Sequence, residues 1–214
     1  MNAQGKRSGE TAREYAYRMI REQVISLELK PGEAFNDMEF AAKIGVSRTP
    51  VREAVIQLSE ESRIIEIFPQ RGMRIAPIDV ELVEEARSLR VLLEKQIAGM
   101  CCEMATEEDI KWLQENVGLQ EFYMENSRPE MVMQLDDEMH HKLFMICHRE
   151  LTYGMCQKLA IHYDRIRSLS VNTVKDNTII EHKKENAMAQ MEKHLSRWQL
   201  NEGKFRQEFP DYFK

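Results

Sequence analysis

Residues 45–55 read GVSRTPVREAV and predict a tight turn that leads into a short basic helix. Gly45 can adopt the backbone angles of a helix-to-helix turn without steric cost. Ser47 is expected to cap the following helix through its hydroxyl. Pro50 falls in the first turn of that helix, where the N–H that a proline lacks would have no partner. The pattern is typical of a helix that enters a DNA groove.

The side chains of this helix divide into a basic end and an apolar stripe. Arg48, Thr49 and Arg52 fall near its N-terminus, where a recognition helix meets phosphates and base edges. The inward stripe consists of Val51, Ala54, Val55 and Leu58. We therefore predict that the basic end contacts double-stranded DNA while the stripe packs against the domain.

The upstream segment predicts the preceding helices of a helix-turn-helix. Asn36 and Glu39 have the spacing of a capping box for a short helix directly before Gly45. Residues 12–24 carry apolar side chains at helical spacing, and Pro31 and Gly32 follow them as a stop signal.

The downstream segment predicts a wing. Residues 64–68 and 73–76 are rich in branched side chains and are separated by the turn sequence PQRG. Arg71 and Gly72 then lie at the tip of a two-stranded hairpin, where an arginine can reach a minor groove or its phosphates.

From residue 15 to residue 76 the chain resembles the winged helix-turn-helix of GntR-family bacterial transcription regulators, and residues 47–54 are close to the motif that marks this family. One departure is Met38, where some members have an arginine. The resemblance implies contacts to operator DNA by Ser47, Arg48, Thr49, Arg52, Arg71 and Gly72.

Composition agrees with two domains of a soluble globular protein. The chain has 214 residues, of which 43% are hydrophobic and 31% charged. We place a winged domain at residues 1–77 and a second domain at residues 78–214. No secretory signal and no apolar run of membrane-spanning length is apparent, so we expect a cytoplasmic protein without a membrane partner. The four cysteines form no CxxC pair and are expected to be reduced, buried thiols.

The net charge differs between the two domains. Residues 1–77 hold 12 Lys and Arg against 11 Asp and Glu, so the whole-chain charge of −6 leaves −7 for residues 78–214. Because a net charge of +1 is small for a DNA-binding domain, affinity must come from clustered arginines and from two copies that bind together. The acidic second domain is not a nucleic-acid surface.

After residue 78 the strand patterns end and helical patterns follow. Asp79 is expected to cap a long helix, and Thr106 with Glu108 opens a second one. Further helical patterns cover residues 129–147, residues 151–169 and the C-terminal stretch. The predicted fold is therefore mainly α: three helices and a two-stranded wing, followed by an all-α antiparallel bundle.

Histidine occurs only in this helical part of the chain, at six positions. Asp136 and His140 are four residues apart, so on a helix they emerge on one face about 6 Å apart along the axis. A carboxylate and an imidazole so placed can bind one divalent metal ion. Asp137 and His141 have the same spacing on the adjacent face, and periodicity alone does not choose between the two pairs.

The helical part also resembles the FCD effector domain of the FadR subfamily. The resemblance rests on Arg90 with Glu94, on residues 136–140, on residues 181–182 and on residues 194–195. A homodimer is expected because a single small winged domain reads too few bases for useful specificity. The resemblance implies a small carboxylate effector, and Arg90 is expected to be its second anchor because a guanidinium matches two oxygens. It also implies a divalent metal ion, Zn, Ni, Mn or Co, whose ligands are Asp136, His140, His182 and His194.

The segment from His182 to His194 is shorter than in that family, where it contains a helix end and a turn. A single straight helix would separate the two imidazoles by about 18 Å along its axis, too far to share an ion. Three solutions remain, namely a sharp turn within residues 184–191, loop residues missing from this chain, or a site with only three ligands. The shortfall matches the length of the family's turn, which favours missing loop residues.

These patterns predict an effector-responsive transcription regulator that acts as a repressor on a palindromic operator. One alternative is a metal-dependent hydrolase or lyase on a helical bundle, and another is a regulator whose bundle only dimerises. An enzyme requires a base or nucleophile beside the metal, and the chain has no HExxH motif, Gly-rich phosphate loop or hydrolase elbow. We therefore predict a regulator that is not an enzyme.

Overall fold

The computed structural model describes residues 5–171, 184–196, 199 and 201–214. The chain forms two compact units, Met1–Glu81 with Arg206–Lys214, and Leu82–Phe205. The predicted class is confirmed, since a small winged region is followed by helices. Among the described helices, none combines the length and the apolar character that crossing a membrane requires.

Residues 12–75 contain three helices and three short strands. Their bounds are α1 Ala12–Ile25, β1 Ala34–Phe35, α2 Asp37–Ile44, α3 Arg48–Ser62, β2 Ile65–Phe68 and β3 Gly72–Ile75. The order is that of a helix-turn-helix, formed by α2 and α3, followed by a hairpin.

Side-chain caps fix where the first two helices begin. Thr11 caps α1, because its hydroxyl accepts from the Glu14 N–H and the Glu14 carboxylate accepts from the Thr11 N–H. The predicted cap of α2 is confirmed: Asn36 Oδ1 accepts from Met38 N at 3.0 Å and from Glu39 N at 3.3 Å. The capping box is not complete, because the Glu39 carboxylate accepts from Asn36 Nδ2 instead of from the Asn36 backbone N–H.

The wing contains one strand more than the sequence predicts. β2 and β3 form the expected antiparallel hairpin, with Ile65 opposite Ile75 and Phe68 opposite Gly72. β1 pairs with the other edge of β3, so the sheet order is β1-β3-β2. A two-residue strand is too short to show the alternation by which strands are recognised in a sequence.

The core of the first unit lies beneath α3. The predicted inward stripe is fully buried and comprises Val51, Ala54, Val55 and Leu58. α1 packs against α3 and contributes Ala16, Ile20 and Val24, which are equally buried, as is Ile75 of β3. Full burial of a branched apolar side chain stabilises a fold by about 1.5–3 kcal/mol, so this stripe fixes which face of α3 is left for DNA.

The end of the chain belongs to the first unit. Ile78 N donates to Tyr212 O at 2.6 Å, and Lys214 Nζ lies 2.6 Å from Asp79 Oδ2. The domain boundary after residue 77 stays a prediction, while the compact unit as folded also takes in Arg206–Lys214.

The remaining helices follow residue 79. Their bounds are α4 Val80–Met104, α5 Glu107–Glu125, α6 Pro129–Ile146, α7 Glu150–Leu159, α8 Ile161–Val171, α9 Lys184–Leu195 and α10 Glu202–Glu208, with a 3₁₀ turn at Pro210–Tyr212. Asp79 Oδ1 accepts from Glu81 N at 3.0 Å, which confirms the predicted start of α4. Thr106 caps α5 as predicted, but its reciprocal partner is Asp109 and not Glu108.

The sequence predicts one helical segment over residues 151–169, but the structure has two helices there. α7 ends at Leu159 and α8 begins at Ile161. Ala160 N donates to Cys156 O at the end of α7, and Asp164 N donates to Ala160 O at the start of α8. The break is only one residue long, which is why the sequence does not reveal it.

The core of the second unit packs α4, α6 and α9 together. Its centre is Phe144 of α6, which is fully buried. The cluster around it comprises Ile97, Ala98, Cys101, Leu143, Ile146, Cys147, Met191 and Leu195. Because Leu143 and Leu195 belong to this cluster, the neighbouring positions 140 on α6 and 194 on α9 are brought to the same place.

Candidate functional site

The turn before α3 has the predicted geometry but lacks the predicted cap bond. Gly45 ends α2 with φ +74°, in the left-handed region where a side chain would be strained. Ser47 occupies the N-cap position of α3, yet its side chain makes no capping hydrogen bond. The prediction of a hydroxyl cap was wrong, and the exposed Ser47 side chain lies at the start of the helix.

A buried acid holds the first arginine of α3. Nε of Arg48 donates to both carboxylate oxygens of Asp37, each at 3.0 Å. The Asp37 side chain is 5% exposed and that of Arg48 is 54% exposed. The Nε atom of Arg48 is thus bound within the protein, and the rest of the guanidinium group faces solvent. Asp37 was not predicted from the sequence, because a separation of eleven residues gives no periodic signal.

The other predicted DNA contacts on α3 are exposed. Thr49 and Arg52 lie on the solvent side, opposite the buried stripe. Arg52 follows Arg48 by four residues, so the two guanidinium groups share one face of the helix. The structure therefore brings Arg48, Thr49 and Arg52 together at the exposed N-terminal end of α3.

The wing places its two predicted residues at the turn. Arg71 is exposed, and its backbone N–H donates to Phe68 O at 3.0 Å, which closes the turn between β2 and β3. Gly72 starts β3 with φ +96°, a conformation that favours glycine. Arg74, which the sequence did not single out, pairs with Glu66 across the hairpin.

In the second unit, three of the predicted metal ligands converge. His140 Nε2 lies 3.1 Å from His194 Nε2. Asp136 Oδ1 lies 3.2 Å from His194 Nε2, and Asp136 Oδ2 lies 3.6 Å from His140 Nε2. α6 supplies Asp136 and His140 one turn apart, and α9 supplies His194.

These separations fit a shared ion. Ligand atoms at about 2.0–2.2 Å from one ion are about 3.3–3.6 Å apart in tetrahedral geometry, and about 3.0 Å apart for neighbours in octahedral geometry. The His140 Nε2–His194 Nε2 distance of 3.1 Å and the Asp136 Oδ1–His194 Nε2 distance of 3.2 Å fall in this range. One carboxylate with two imidazoles is also a donor set that transition metals accept.

The second nitrogen of His140 meets a carboxylate. His140 Nδ1 lies 2.5 Å from Glu94 Oε2, a close contact although its angle does not meet that of a regular hydrogen bond. Such a carboxylate fixes the orientation of a metal-binding imidazole and raises its basicity. Burial alone would raise the pKa of Glu94, but the charges of His140 and Arg90 outweigh burial and hold this pKa well below its usual range.

Arg90 lies behind this carboxylate. Its Nε donates to Glu94 Oε1 at 2.5 Å, and its guanidinium carbon stands 5.2 Å from the centre of the Tyr163 ring. The Arg90 side chain is buried, and among the described residues its Nη1 has no hydrogen-bond partner. The predicted effector anchor is therefore joined to His140 through Glu94 and retains one unused donor.

The alternative pair on the adjacent face makes other contacts. Asp137 Oδ1 accepts from Arg167 Nη1 at 2.7 Å. The His141 ring stacks on the Tyr153 ring with centroids 4.6 Å apart, and its Nε2 lies 3.6 Å from Glu150 Oε1. Within the described part of the chain, the cluster able to hold an ion comprises Asp136, His140 and His194 and does not include Asp137 or His141.

His182, the remaining predicted ligand, lies outside the described residues. α9 is one unbroken helix from Lys184 to Leu195, so the turn considered within residues 184–191 is not there. Over these residues the helix rises about 1.5 Å per residue, which puts Lys184 about 15 Å from His194 along the axis.

Asp136 is the acid of this cluster of described residues, and it also contacts an arginine. Burial raises its pKa, but the charges of His194, His140 and Arg167 outweigh burial and keep this pKa well below its usual range. Arg167 Nη2 donates to Asp136 Oδ2. Arg167 was not predicted from the sequence, because its position depends on how α8 packs against α6.

Two family models match the chain. The model of the bacterial regulatory proteins of the gntR family matches residues 12–75, and the FCD domain model matches residues 85–197. The first range covers the helix-turn-helix with its wing, and the second holds Arg90, Glu94 and the three clustered ligands.

Relatives agree with these matches. The HTH-type transcriptional repressor RspR of Escherichia coli K12 is 30% identical over 158 residues, which is 74% of this chain and 69% of that protein. The Nta operon transcriptional regulator of Aminobacter aminovorans is 31% identical over 126 residues, 59% of each chain.

Likeness in structure supports the fold. The structure of E. coli McbR/YncC has a TM-score of 0.66 at 17% identity and covers 89% of this chain and 84% of its own. A GntR regulator from Rhodococcus sp. RHA1 has a TM-score of 0.61 at 16% identity and covers 88% of this chain and 96% of its own. Sequence and fold together lead to the conclusion that this chain belongs to the GntR family of bacterial regulatory proteins, as a DNA-binding transcription regulator whose second domain is an FCD domain.

Proposed function

We propose that this protein is a transcriptional repressor that binds a palindromic operator as a homodimer and responds to a small carboxylate effector at a metal site in its FCD domain. The observation that carries the proposal is the convergence of Asp136, His140 and His194, whose ligand atoms all lie within 4.8 Å of one another. They belong to helices that the FCD match covers.

The proposed ligands are Asp136, His140 and His194, with His182 as the fourth by resemblance to the family. Zn, Ni, Mn and Co all accept carboxylate and imidazole donors. When bound, such an ion supplies a Lewis-acid position for an anionic oxygen. Glu94 keeps the His140 ring oriented for this role, since it lies 2.5 Å from the ring nitrogen that faces away from the cluster.

A carboxylate is the effector class that the surrounding charges favour. Arg90 Nη1 is a buried donor without a partner among the described residues. A guanidinium matches the two oxygens of a carboxylate, and such charge-assisted bonds are about twice as strong as neutral ones. Arg90 is therefore proposed as the second anchor of the effector.

For operator binding we propose the exposed residues at the N-terminal end of α3 and at the wing turn, within a DNA-binding domain of residues 1–77. The effector and dimerisation domain is proposed as residues 78–214. The proposed DNA contacts are Ser47, Arg48, Thr49, Arg52, Arg71 and Gly72.

A homodimer is supported by an apolar stripe on α7. Leu151, Met155 and Leu159 follow one another at four-residue spacing and are 89%, 71% and 50% exposed. If two copies of α7 pair antiparallel about a two-fold axis, the two stripes cover each other.

Repression is proposed from the name of one relative. RspR, which is 30% identical over 74% of this chain, is a transcriptional repressor. An effector that binds one arrangement of the helical domain more tightly shifts the population toward that arrangement. Such a shift would change the spacing of two recognition helices and thereby the affinity for the operator.

The experiment begins by selecting the operator from random DNA duplexes with the full chain. Fluorescence anisotropy then measures operator affinity for wild type, His140→Ala and, as a control, His148→Ala, which removes an exposed histidine of the same unit. Each protein is assayed metal-free and Co²⁺-loaded, with a panel of small mono- and dicarboxylic acids.

We expect one or more acids to lower operator affinity by at least about tenfold in the loaded wild type and in His148→Ala, a coupling of about 1.4 kcal/mol. His140→Ala should bind the operator without responding to any acid. If the loaded wild type responds to none of the panel, the proposed effector control is wrong and the helical domain only dimerises.

A further inference from the structure

One guanidinium serves three carboxylates beside the metal cluster. Arg167 Nη1 donates to Asp137 Oδ1 at 2.7 Å and to Asp164 Oδ1 at 3.0 Å. Its Nη2 donates to Oδ2 of Asp136. Only 12% of the Arg167 side chain is exposed, so these contacts are shielded from water and from salt.

The bond to Asp136 divides the two oxygens of that carboxylate. Oδ2 is held by Arg167 and lies 3.6 Å from His140 Nε2, whereas Oδ1 faces His194 Nε2 at 3.2 Å. A carboxylate fixed in this way presents Oδ1 toward His194 in a single orientation. A side chain without this bond would rotate about its last torsion, which is broad and weakly restrained.

The positive charge of Arg167 does not fully compensate the negative charge of Asp136, so Asp136 can still bind a metal ion. Its single positive charge is shared among Asp136, Asp137 and Asp164. Asp136 therefore keeps negative charge on the side of His140 and His194, where a divalent cation is attracted. Arg167 and an ion can act on Asp136 at the same time, one on each oxygen.

α8 also supports the second histidine. Tyr163, one turn before Arg167, donates its hydroxyl hydrogen to the backbone oxygen of Leu195 at 3.1 Å. Leu195 directly follows His194. One helix thus contacts the immediate surroundings of both Asp136 and His194, although it contributes none of the predicted ligands.

We propose that Arg167 is a positioning residue of the metal site, which holds Asp136 by Oδ2 and directs Oδ1 to the bound ion. This inference rests on the proposed metal site and names a residue outside the cluster of donors. Removal of an outer partner of a metal ligand lowers metal affinity about 10–100-fold in other proteins.

The test titrates the full chain with Co²⁺ and follows the visible absorption of the bound ion. The variants are Arg167→Met, Arg167→Lys and, as a control, Arg149→Met, which removes an exposed arginine whose side chain donates to the backbone oxygen of His148. Circular dichroism checks that each variant is folded. If Arg167→Met does not fold, Arg167→Lys carries the test, because it keeps the positive charge.

We expect Arg167→Met to bind Co²⁺ about 10–100-fold more weakly than wild type. Arg167→Lys should recover part of this loss, since an ammonium group can bind Asp136 but cannot bridge it to Asp137 as the planar fork does. The absorption bands of the bound ion should shift in both variants, because the carboxylate no longer binds through one fixed oxygen. Arg149→Met should match wild type in affinity and spectrum.

Two results would overturn the inference, one directed at Arg167 alone and one at the metal site itself. Equal or tighter Co²⁺ binding by folded Arg167 variants, with an unchanged spectrum, would show that Arg167 does not position Asp136 and instead competes with the ion or is idle. Wild type that binds no Co²⁺ would overturn the proposed metal site itself, and the role of Arg167 with it.

Discussion

Asp37 on α2 binds Arg48 on α3 through both of its oxygens, each 3.0 Å from Nε. The acid is buried and the arginine is more than half exposed. The Nε edge is therefore occupied within the protein, while the outer part of the guanidinium remains for a phosphate or a base edge. A rotamer-rich arginine held in this way loses less entropy when it binds DNA.

Asp37→Asn is expected to weaken operator binding about tenfold, because Arg48 is no longer held in place. Loss of a negative charge near DNA would by itself strengthen binding. The charge-matched control is Glu60→Gln on the exposed face of α3. Anisotropy at fixed salt measures both variants, and an Asp37→Asn protein that binds at least as tightly as the control would show that Asp37 does not position Arg48.

Arg52→Ala and Arg71→Ala are expected to change operator binding in different ways. If Arg52 binds a base edge, its removal should lower specific affinity by about 1–3 kcal/mol and relax the sequence preference. If Arg71 binds a phosphate, its removal should weaken binding to all sequences and reduce the slope of log K against log salt by about 1. Arg13→Ala, at an exposed position of α1, serves as the control. Unchanged affinity in both variants at matched salt would exclude Arg52 and Arg71 as DNA contacts.

Single substitutions distinguish the histidines that are proposed to bind the metal ion from those beside them. His140→Ala and His194→Ala should abolish stoichiometric Co²⁺ binding and the rise in melting temperature that Co²⁺ causes in wild type, since binding to the folded state alone stabilises it. His141→Ala should retain both, because its ring stacks on Tyr153 away from the cluster. Retained Co²⁺ in His140→Ala would move the site to Asp137 and His141.

The role of His182 is measured in the same titration. The resemblance to the family predicts that His182→Ala weakens Co²⁺ binding as strongly as His194→Ala does. Affinity equal to that of wild type would leave a site with three protein ligands, in keeping with the unbroken helix from Lys184 to Leu195.

Sequence reasoning succeeded where the signal is local. The turn glycine at position 45, the cap at Asn36 and the buried stripe of α3 are set by neighbours within one or two turns, and each is found as predicted. The spacing of Asp136 and His140 likewise placed two ligands on one face. The choice of this pair over Asp137 and His141 could not be made from periodicity.

The rest of the site depends on packing between distant segments. His194 meets His140 because Leu143 and Leu195 share one core cluster, and no spacing rule relates residues 54 positions apart. Arg167 and Asp37 act through single contacts between helices, so neither shows a pattern in the sequence. The predicted Ser47 cap is wrong even though its signal is local. Serine favours a cap bond, but the Ser47 side chain does not make one.

Cysteine reactivity should follow burial. Burial raises the pKa of Cys101, Cys147 and Cys156, which lowers the fraction of reactive thiolate at neutral pH. Cys102 is exposed. Iodoacetamide at pH 8 is therefore expected to modify Cys102 quickly and the other three only as the chain unfolds, as peptide mass spectrometry would report. Rapid modification of Cys101 in folded protein would contradict the buried arrangement, in which its sulfur lies 3.5 Å from that of Cys147.

The proposed dimer gives the last prediction. Leu151→Asp should raise the dimer dissociation constant about a hundredfold, because each copy loses burial of a leucine worth about 1.5 kcal/mol or more and the substitution counts twice in a two-fold interface. Leu119→Asp, which alters an exposed apolar position on α5, is the control and should remain dimeric. Analytical ultracentrifugation measures both. A dimer unaffected by Leu151→Asp would place the interface elsewhere on the chain.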